Sequence, residues 1–256
     1  MLIELERQER VLRVTLNRPE KRNALNVELC KDLIHAFEEG DQSTDVGAIL
    51  VTANGPAFCA GMDLKESLEA DATQLAGLHE RLFTTINRIR KPIVAAVQGP
   101  AIAGGTGLVA NAHIVVADPA ATFGLTEVRI GLWPVLVFRA VELAMGERRA
   151  TELSLSGRTF GAEDALRYGL ITEIAEDCLT RANALAATIS QYSPIAVGRG
   201  LDYVHRIRVR DWDHAGRIGH QTRDLLLASE DYKEGVRAFL EKRQPSWPSL
   251  KEAKAE

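Results

Sequence analysis

Three short segments of the chain carry residues whose types and spacing suit chemistry at a carbonyl group. Two are glycine-bearing turns, at residues 58–64 (FCAGMDL) and 103–107 (AGGTG), and the third contains Glu127. Glycine lets a backbone approach a ligand closely and expose its N–H groups. Two N–H groups from separate turns can stabilise one oxyanion, and a nearby carboxyl group can move protons beside it. The segments therefore indicate enolate chemistry on an acyl compound.

Glu127 is the candidate acid/base. Its segment is rich in apolar residues, namely Phe123, Leu125, Val128, Ile130, Leu132 and Trp133. Apolar surroundings disfavour the charged carboxylate and raise its pKa towards a range useful for proton transfer. The alternative is a solvated glutamate in a surface loop, the usual location of that residue type. We favour the catalytic interpretation because of the apolar neighbours.

Each glycine turn follows an apolar run and precedes a pattern typical of a helix. The N-terminus of a helix presents free N–H groups and the positive end of a dipole to anionic atoms. A tight turn or close packing would explain any one of these glycines by itself. Asp63 and Glu66 form an Asp-x-x-Glu pattern, for which we predict helix capping rather than catalysis.

Motifs in the same order along nearly the whole chain resemble those of the enoyl-CoA hydratase/isomerase (crotonase) family. They lie at residues 16–19 (LNRP), 23–25 (NAL), 58–64, 91–99 (KPIVAAVQG), 117–118, 123–124, 155–158, 162–165 and 168–170. The resemblance implies an enzyme that holds the thioester carbonyl of an enoyl-CoA between the N–H groups of Met62 and Gly104. It also implies Glu127 as the catalytic acid/base, coenzyme A as part of the substrate, and neither a separate cofactor nor a metal.

The resemblance implies a set of substrate-binding residues as well. Ala60 and Leu64 would border the adenine and pantetheine, and a basic pair, Lys21 and Arg22, would contact the phosphates. A solvated charge cluster is the alternative for that basic pair. The full predicted set is Ala60, Gly61, Asp63, Leu64, Gly105, Gly107, Trp133, Lys21 and Arg22.

Gly107 departs from the family pattern, because family hydratases usually carry a second glutamate at this position. Two carboxylates suit the addition of water, whereas one suits isomerisation, in which a single base moves a proton between two carbons. Both reactions stay open, since Glu127 alone could activate water. We expect Gly107→Glu to raise hydration relative to isomerisation, because the new side chain should project towards the thioester. An acyl chain or a neighbouring helix in that space would prevent this.

The order of apolar patterns predicts an α/β fold. Short apolar or alternating runs at 2–8, 11–16, 47–51, 93–97 and 114–117 predict strands, and helical patterns lie between them. Residues 135–139 (VLVFR) predict an apolar acyl-pocket wall or the start of a core helix. The chain is predicted to be mostly helical from about residue 140, with helices at 144–155, 162–168, 179–192, 195–209, 214–227 and 232–243. The resemblance implies a crotonase-like spiral of strand-strand-helix turns at 1–190. It implies a C-terminal helical oligomerisation region at 191–256, which would form homotrimers or hexamers.

Composition limits the other classes of function. The chain has 256 residues, 46% of them hydrophobic and 26% charged, as in ordinary globular proteins, and its net charge of -4 does not favour a nucleic-acid partner. Three widely spaced cysteines form no metal or redox motif and favour a cytoplasmic location. No apolar run approaches the roughly 20 residues of a membrane helix. A non-catalytic oligomer that binds acyl-CoA or RNA remains the alternative from another class.

Overall fold

The computed structural model describes residues 2–69, 72–208, 225 and 229–252. Nine strands are found in this part of the chain: β1 (Ile3–Gln8), β2 (Val11–Leu16), β3 (Ala48–Ala53), β4 (Ile93–Val97), β5 (Ala101–Ile102), β6 (Ile114–Ala117), β7 (Thr122–Gly124), β8 (Thr159–Gly161) and β9 (Glu173–Ile174). Eleven α-helices accompany them within the same residues: α1 (Val27–Gln42), α2 (Leu64–Glu69), α3 (Ala72–Ile86), α4 (Gly104–Asn111), α5 (Val135–Met145), α6 (Glu147–Ser156), α7 (Ala162–Tyr168), α8 (Cys178–Ser190), α9 (Pro194–Ile207), α10 (Glu230–Leu240) and α11 (Ser249–Glu252). Short 3-10 helices cover Pro19–Lys21 and Glu127–Ile130.

The strands form two sheets. The larger sheet has the order β1-β2-β3-β4-β6-β9, in which β1 and β2 form an antiparallel hairpin and the remaining neighbours are parallel. The smaller sheet has the order β5-β7-β8. Parallel neighbours need long crossover connections, and α1, α3 and α4 lie within those connections here.

The central strands β3 and β4 of the larger sheet are buried on both faces. In β3, Ile49 and Val51 belong to the core cluster that includes α1, whereas Ala48 and Leu50 belong to the cluster that includes α8. Successive side chains of a strand point to opposite faces, so a strand covered on both sides needs apolar residues throughout. The covering helices therefore explain the continuous apolar runs in the sequence. Because the faces of the central strands are covered, the loops at the ends of the strands are the parts that can form a binding site.

The sequence-based strand predictions agree with the structure to within one or two residues. The single helix expected over Ala144 to Leu155 is wrong, because α5 ends at Met145 and α6 begins at Glu147. Gly146 separates the two helices with a φ of 81°. Glycine adopts this conformation without a steric cost, so it can end one helix and redirect the chain into the next.

The described part of the C-terminal region is largely helical, as predicted, and contains α9, α10 and α11. A further helix predicted from His214 to Leu227 lies outside the described residues, apart from Leu225. The boundary between residues 190 and 191 and the oligomerisation role remain predictions. Within the described ranges, no helix combines the length and the apolar character that crossing a membrane would require.

Candidate active site

The two glycine turns lie against each other. Cys59 pairs with Ala101 in a parallel bridge, and the Ile102 N–H donates a hydrogen bond to the Cys59 carbonyl oxygen at 2.9 Å. A Cβ atom at Gly61 would lie 2.9 Å from the Ala103 Cβ and 3.1 Å from the Gly104 nitrogen. Gly61 also has a φ of 87°, which side chains disfavour. The close approach of the turns therefore requires glycine at position 61.

The N–H groups of Met62 and Gly104 are available to a ligand. Neither group donates a hydrogen bond to any residue that the structure describes. Gly104 is the first residue of α4, so its N–H also lies at the positive end of a helix dipole. The residue before it, Ala103, has a φ of 53°, a strained conformation that costs of order 1–3 kcal/mol. The chain thus holds two free donors at adjacent turns.

Thr106 connects the second turn to the strand before Glu127. Its hydroxyl group donates to the Ala101 carbonyl oxygen at 2.7 Å and accepts a hydrogen bond from the Gly124 N–H at 3.2 Å. The Ala103 N–H in turn donates to the Gly124 carbonyl oxygen at 2.7 Å. These bonds join α4 to β5 and β7. They fix the position of the Gly104 N–H relative to Glu127, which follows β7 by three residues.

Glu127 is half-buried at the start of its 3-10 helix. Burial raises the pKa of its carboxyl group above the ordinary value, and a hydrogen bond from its own N–H opposes this only in part. Its Oε2 atom is buried and has no hydrogen-bond partner. A carboxyl oxygen without a partner is available to take up a proton from a ligand, and the raised pKa makes it a better base.

Glu127→Gln should stabilise the unliganded protein, because glutamine removes the cost of a buried charge. The pKa of Glu127 is higher in the folded state, so the folded protein loses stability as pH rises through that raised value. The variant should match the parent below the ordinary glutamate pKa of about 4.3 and become the more stable at higher pH, up to a plateau. Urea unfolding across this range measures the difference. A variant no more stable than the parent at neutral pH would contradict the prediction.

A cavity of about 480 Å³ contains the donors and the carboxyl group. We call it the Glu127 cavity. Its apolar lining consists of Leu25, Ala60, Met62, Leu64, Phe83, Ala103, Gly104, Ile130, Leu132, Trp133, Pro134, Val135, Leu136 and Val137. The polar side chains are those of Ser67, His79, Thr126 and Glu127, so one carboxylate is present among the described lining residues. The volume and the apolar walls suit an acyl chain.

The structure brings six of the predicted site residues to the Glu127 cavity and leaves the others outside its lining. The six are Ala60, Met62, Leu64, Gly104, Glu127 and Trp133. Gly61 and Gly105 belong to the two turns but are not among the lining residues. A Cβ atom at Gly105 would lie 2.1 Å from the Cys59 carbonyl oxygen, so the close packing of the two turns requires glycine at this position. These two residues support the donors without lining the cavity.

Asp63 caps α2, as predicted. Its Oδ1 accepts hydrogen bonds from the N–H groups of Lys65 and Glu66 at 3.2 and 3.3 Å. The other oxygen accepts a hydrogen bond from Arg18 at 2.7 Å, in a pair whose side chains are each 13% exposed. Burial alone would raise the pKa of Asp63, but the bond from Arg18 and the capping bonds give a net decrease. Asp63 lies outside the cavity lining, and its contact with the substrate remains a prediction.

Lys21 is the last residue of the first 3-10 helix and Arg22 follows it, and both side chains are exposed. The Arg22 carbonyl oxygen accepts a hydrogen bond from the Ala60 N–H at 3.0 Å, so this segment supports the first donor loop. Neither side chain is among the residues lining the Glu127 cavity. Phosphate binding by Lys21 and Arg22 remains a prediction.

Gly107 is not among the cavity-lining residues, and a neighbouring helix occupies the space beside it, which is the condition expected to prevent Gly107→Glu from reaching the thioester. A Cβ atom at Gly107 would lie 2.2 Å from Cγ1 of Val137 and 3.1 Å from Cε1 of Phe83. Both of these side chains line the cavity and separate Gly107 from it. The space is occupied because α5 packs against α4 at this point. Val137 thus fills the position that a second carboxylate would need.

Gly107→Glu should therefore destabilise the protein by at least about 3 kcal/mol, since it combines overpacking with a buried, unpaired charge. Gly77→Glu is the matched control, because Gly77 is also helical but a Cβ atom there meets nothing within 4 Å. Adding Val137→Gly should recover part of the loss in Gly107→Glu. Urea unfolding of the parent and these variants measures the free energies. Equal stability for Gly107→Glu and Gly77→Glu would contradict the packing argument.

His79 and Phe83 are cavity residues that the sequence did not assign to the site. They lie four residues apart in α3 and so share a helix face, which is the signal that could have linked them. His79 is buried, with Nε2 at 3.4 Å from the Leu25 carbonyl oxygen. Burial lowers the pKa of His79 below its ordinary value, which favours a neutral ring beside the apolar walls.

Comparisons with known proteins agree over nearly the full length of the chain. The family model described as enoyl-CoA hydratase/isomerase matches residues 6–250. A probable enoyl-CoA hydratase of Mycobacterium bovis is 36% identical over 249 residues, covering 95% of this chain and 96% of that protein. The 2,3-dehydroadipyl-CoA hydratase of Escherichia coli is 34% identical over 248 residues, covering 95% and 97%. The crystal structure of an enoyl-CoA hydratase from Mycobacterium smegmatis superimposes with a TM-score of 0.91 at 31% identity, covering 96% of this chain and 99% of that one.

Proposed function

Since the chain belongs to the enoyl-CoA hydratase/isomerase family, we propose that it moves the double bond of an enoyl-CoA thioester with Glu127 as its one acid/base. The family and the crotonase-like α/β fold that the motifs predicted are both confirmed. Membership makes the chain an enzyme that acts on acyl-CoA. The choice of reaction within the family is the proposal.

In this proposal the thioester carbonyl oxygen accepts hydrogen bonds from the N–H groups of Met62 and Gly104. The acyl chain extends along the apolar wall that includes Trp133 and Val137. Both hydrogen bonds become stronger as negative charge develops on the oxygen, so they stabilise the transition state more than the ground state. The free donors at the adjacent turns support this arrangement.

The proposed reaction needs only one carboxyl group. The Glu127 carboxylate removes a proton from C2 of a 3-enoyl-CoA, and the electron pair forms a dienolate whose charge lies on the thioester oxygen. The protonated Glu127 then donates the proton to C4, and the double bond moves from C3–C4 to C2–C3. Atoms and electrons balance without another reactant. The raised pKa of Glu127 suits both steps, because the same group must act as base and then as acid.

One observation supports isomerisation over hydration. Glu127 is the single carboxylate among the described residues that line the cavity, and Val137 fills the space opposite Gly107. Hydration is the second candidate, because the relatives from Mycobacterium bovis and Escherichia coli are both named as hydratases. In that case Glu127 would activate water alone.

Parallel incubation with crotonyl-CoA and 3-hexenoyl-CoA separates the candidates. We expect 3-hexenoyl-CoA to gain the absorbance of a conjugated enoyl thioester while its mass stays unchanged. We expect crotonyl-CoA to gain the mass of water more slowly, so kcat/KM should be higher for isomerisation of 3-hexenoyl-CoA than for hydration of crotonyl-CoA. Faster hydration of crotonyl-CoA would favour the second candidate. No conversion of either compound, together with retained acyl-CoA binding, would favour a non-catalytic binding protein.

We also propose that the enzyme is a cytoplasmic homotrimer or hexamer. The three widely spaced cysteines support the location. The resemblance of the motifs supports the assembly, and so do exposed apolar side chains at the cavity, with Ile130 53%, Leu132 47% and Val135 70% exposed. Such clustered exposure is typical of surfaces that another protein surface covers. Light scattering of the purified protein would test the assembly, and a monomer would contradict it.

A further inference from the structure

A second cavity, of about 470 Å³, lies at the amino ends of the parallel strands of the larger sheet. Its lining includes Arg10, Gly47 and Lys91, which lie just before β2, β3 and β4. We call it the amino-edge cavity. The Glu127 cavity lies beyond the carboxyl ends of the same parallel strands, so the length of a strand separates the two, roughly 16–20 Å for five or six residues. The two cavities are therefore distinct places in the fold.

Two partly buried cations at the amino-edge cavity are bound only by main-chain carbonyl groups. Arg10 donates to the carbonyl oxygens of Ser190 at 3.0 Å and Thr44 at 3.3 Å, and its Nη2 atom is buried without a partner. Lys91 donates to the carbonyl oxygens of Ser43 and Val46 at 2.9 and 2.7 Å. In the described part of the chain, neither cation has a carboxylate within ion-pair distance. Burial lowers the pKa of Arg10, and the charge of Asp45 opposes this decrease only in part.

Helix α9 supplies further positive charge. Arg199 lines the cavity and makes no ion pair or hydrogen bond with the described residues. The N-terminus of this 14-residue helix, at Pro194, also lies in the lining, and a helix N-terminus carries partial positive charge. Three cations that make no ion pair with the described residues therefore surround one cavity, namely Arg10, Lys91 and Arg199.

The two acidic residues of the cavity, Asp41 and Asp202, compensate these cations only in part, since each also pairs with another arginine. The Asp41 carboxylate lies 3.7 Å from Nε of Arg90 and also accepts a hydrogen bond from the main-chain N–H of Arg90 at 2.7 Å. Asp202 pairs with Arg206 at 3.6 Å. Burial lowers the pKa of Lys91; Asp41 opposes this decrease, while the charges of Arg10 and Arg90 add to it. An anion in the cavity would relieve this repulsion.

We propose that the amino-edge cavity binds the phosphate group of a small molecule. A phosphate dianion matches this charge better than a single carboxylate does, because its oxygens can accept hydrogen bonds from Lys91 and Arg199 together. The charge of Arg10 and the positive end of the α9 dipole add attraction without a hydrogen bond from Pro194, which has no N–H group. The cavity volume is that of a small-molecule site, which leaves room for the rest of the ligand. The proposal is independent of the reaction at Glu127.

Inorganic phosphate is the probe for the test, titrated calorimetrically into the full chain with chloride adjusted to constant ionic strength. We expect saturable binding to one site per chain. Arg199→Gln should weaken it about tenfold, the loss expected for one charged hydrogen bond. Arg199 is exposed, so its replacement should leave the fold intact. Arg148→Gln makes the same charge change at an exposed residue outside the cavity, and it should bind phosphate like the parent.

Acetyl-CoA separates this cavity from the thioester site. Phosphate affinity should be unchanged when acetyl-CoA is saturating. Three results would overturn the proposal: no saturable phosphate binding, equal affinities for Arg199→Gln and Arg148→Gln, or loss of phosphate binding in the presence of acetyl-CoA. The last result would place the phosphate in the coenzyme A subsite.

Discussion

Glu127→Gln should lower turnover at least about a hundredfold while acyl-CoA affinity stays nearly unchanged, because glutamine keeps the shape of the side chain but cannot exchange a proton. The Glu127 carboxyl is the single one among the described residues of its cavity, and Oε2 has no hydrogen bond whose loss would disturb the structure. Steady-state rates with an enoyl-CoA measure the effect, and titration with a saturated acyl-CoA measures affinity.

Glu163→Gln is the matched control, since Glu163 is an exposed glutamate in the first turn of α7, away from the cavity. It should retain the parent rate. Urea unfolding of Glu127→Gln at neutral pH accompanies the rates, and stability at or above that of the parent would exclude misfolding as the cause of lost activity. Turnover of Glu127→Gln within a few-fold of the parent would show that Glu127 is not the acid/base.

Gly104→Pro should cost about 3 kcal/mol or more of transition-state stabilisation, a rate loss of over roughly a hundredfold, because proline removes one of the two donors. Proline is tolerated at the first position of a helix, which is where Gly104 lies. The measured quantity is kcat/KM for the enoyl-CoA substrate. Thermal unfolding must accompany it, because proline also restricts the strained residue before it, Ala103.

Gly104→Ala is the companion variant, because alanine keeps the N–H and adds only a methyl group. Its Cβ would lie 3.0 Å from the end of the Leu25 side chain, a contact that a small shift relieves. We expect Gly104→Ala to lose much less activity than Gly104→Pro. Similar rates for the two folded variants would show that Gly104 serves the turn and not the thioester oxygen.

The sequence predicted the parts of the site that depend on local pattern. The apolar neighbours of Glu127 indicated a buried carboxyl group, and burial does raise its pKa. The Asp-x-x-Glu pattern indicated a helix cap at Asp63, and its Oδ1 accepts two capping hydrogen bonds. The Glu66 carboxylate does not complete a capping box, because it accepts from the Val27 N–H instead. These features are set within a few residues of each side chain, so a single sequence is enough to predict them.

Features that depend on packing between distant segments could not be predicted in this way. The contact of Val137 with Gly107 joins α4 and α5, and nothing near Gly107 in the sequence indicates that its space is occupied. The break between α5 and α6 depends on the φ of Gly146, while the apolar pattern continues across it. The amino-edge cavity collects Arg10, Lys91 and Arg199 from three separate parts of the chain. Each of these features is decided by tertiary packing and not by local propensity.

The central claim is that Glu127 moves a proton at the carbon beside a bound thioester carbonyl. Deuterium exchange into butyryl-CoA in heavy water tests it most directly, because this saturated thioester can be neither hydrated nor isomerised. Proton NMR should show the parent protein incorporating deuterium at C2, with Glu127→Gln at least about a hundredfold slower and Glu163→Gln unchanged. No exchange by the parent, or equal exchange by the parent and Glu127→Gln, would contradict the proposed role of Glu127.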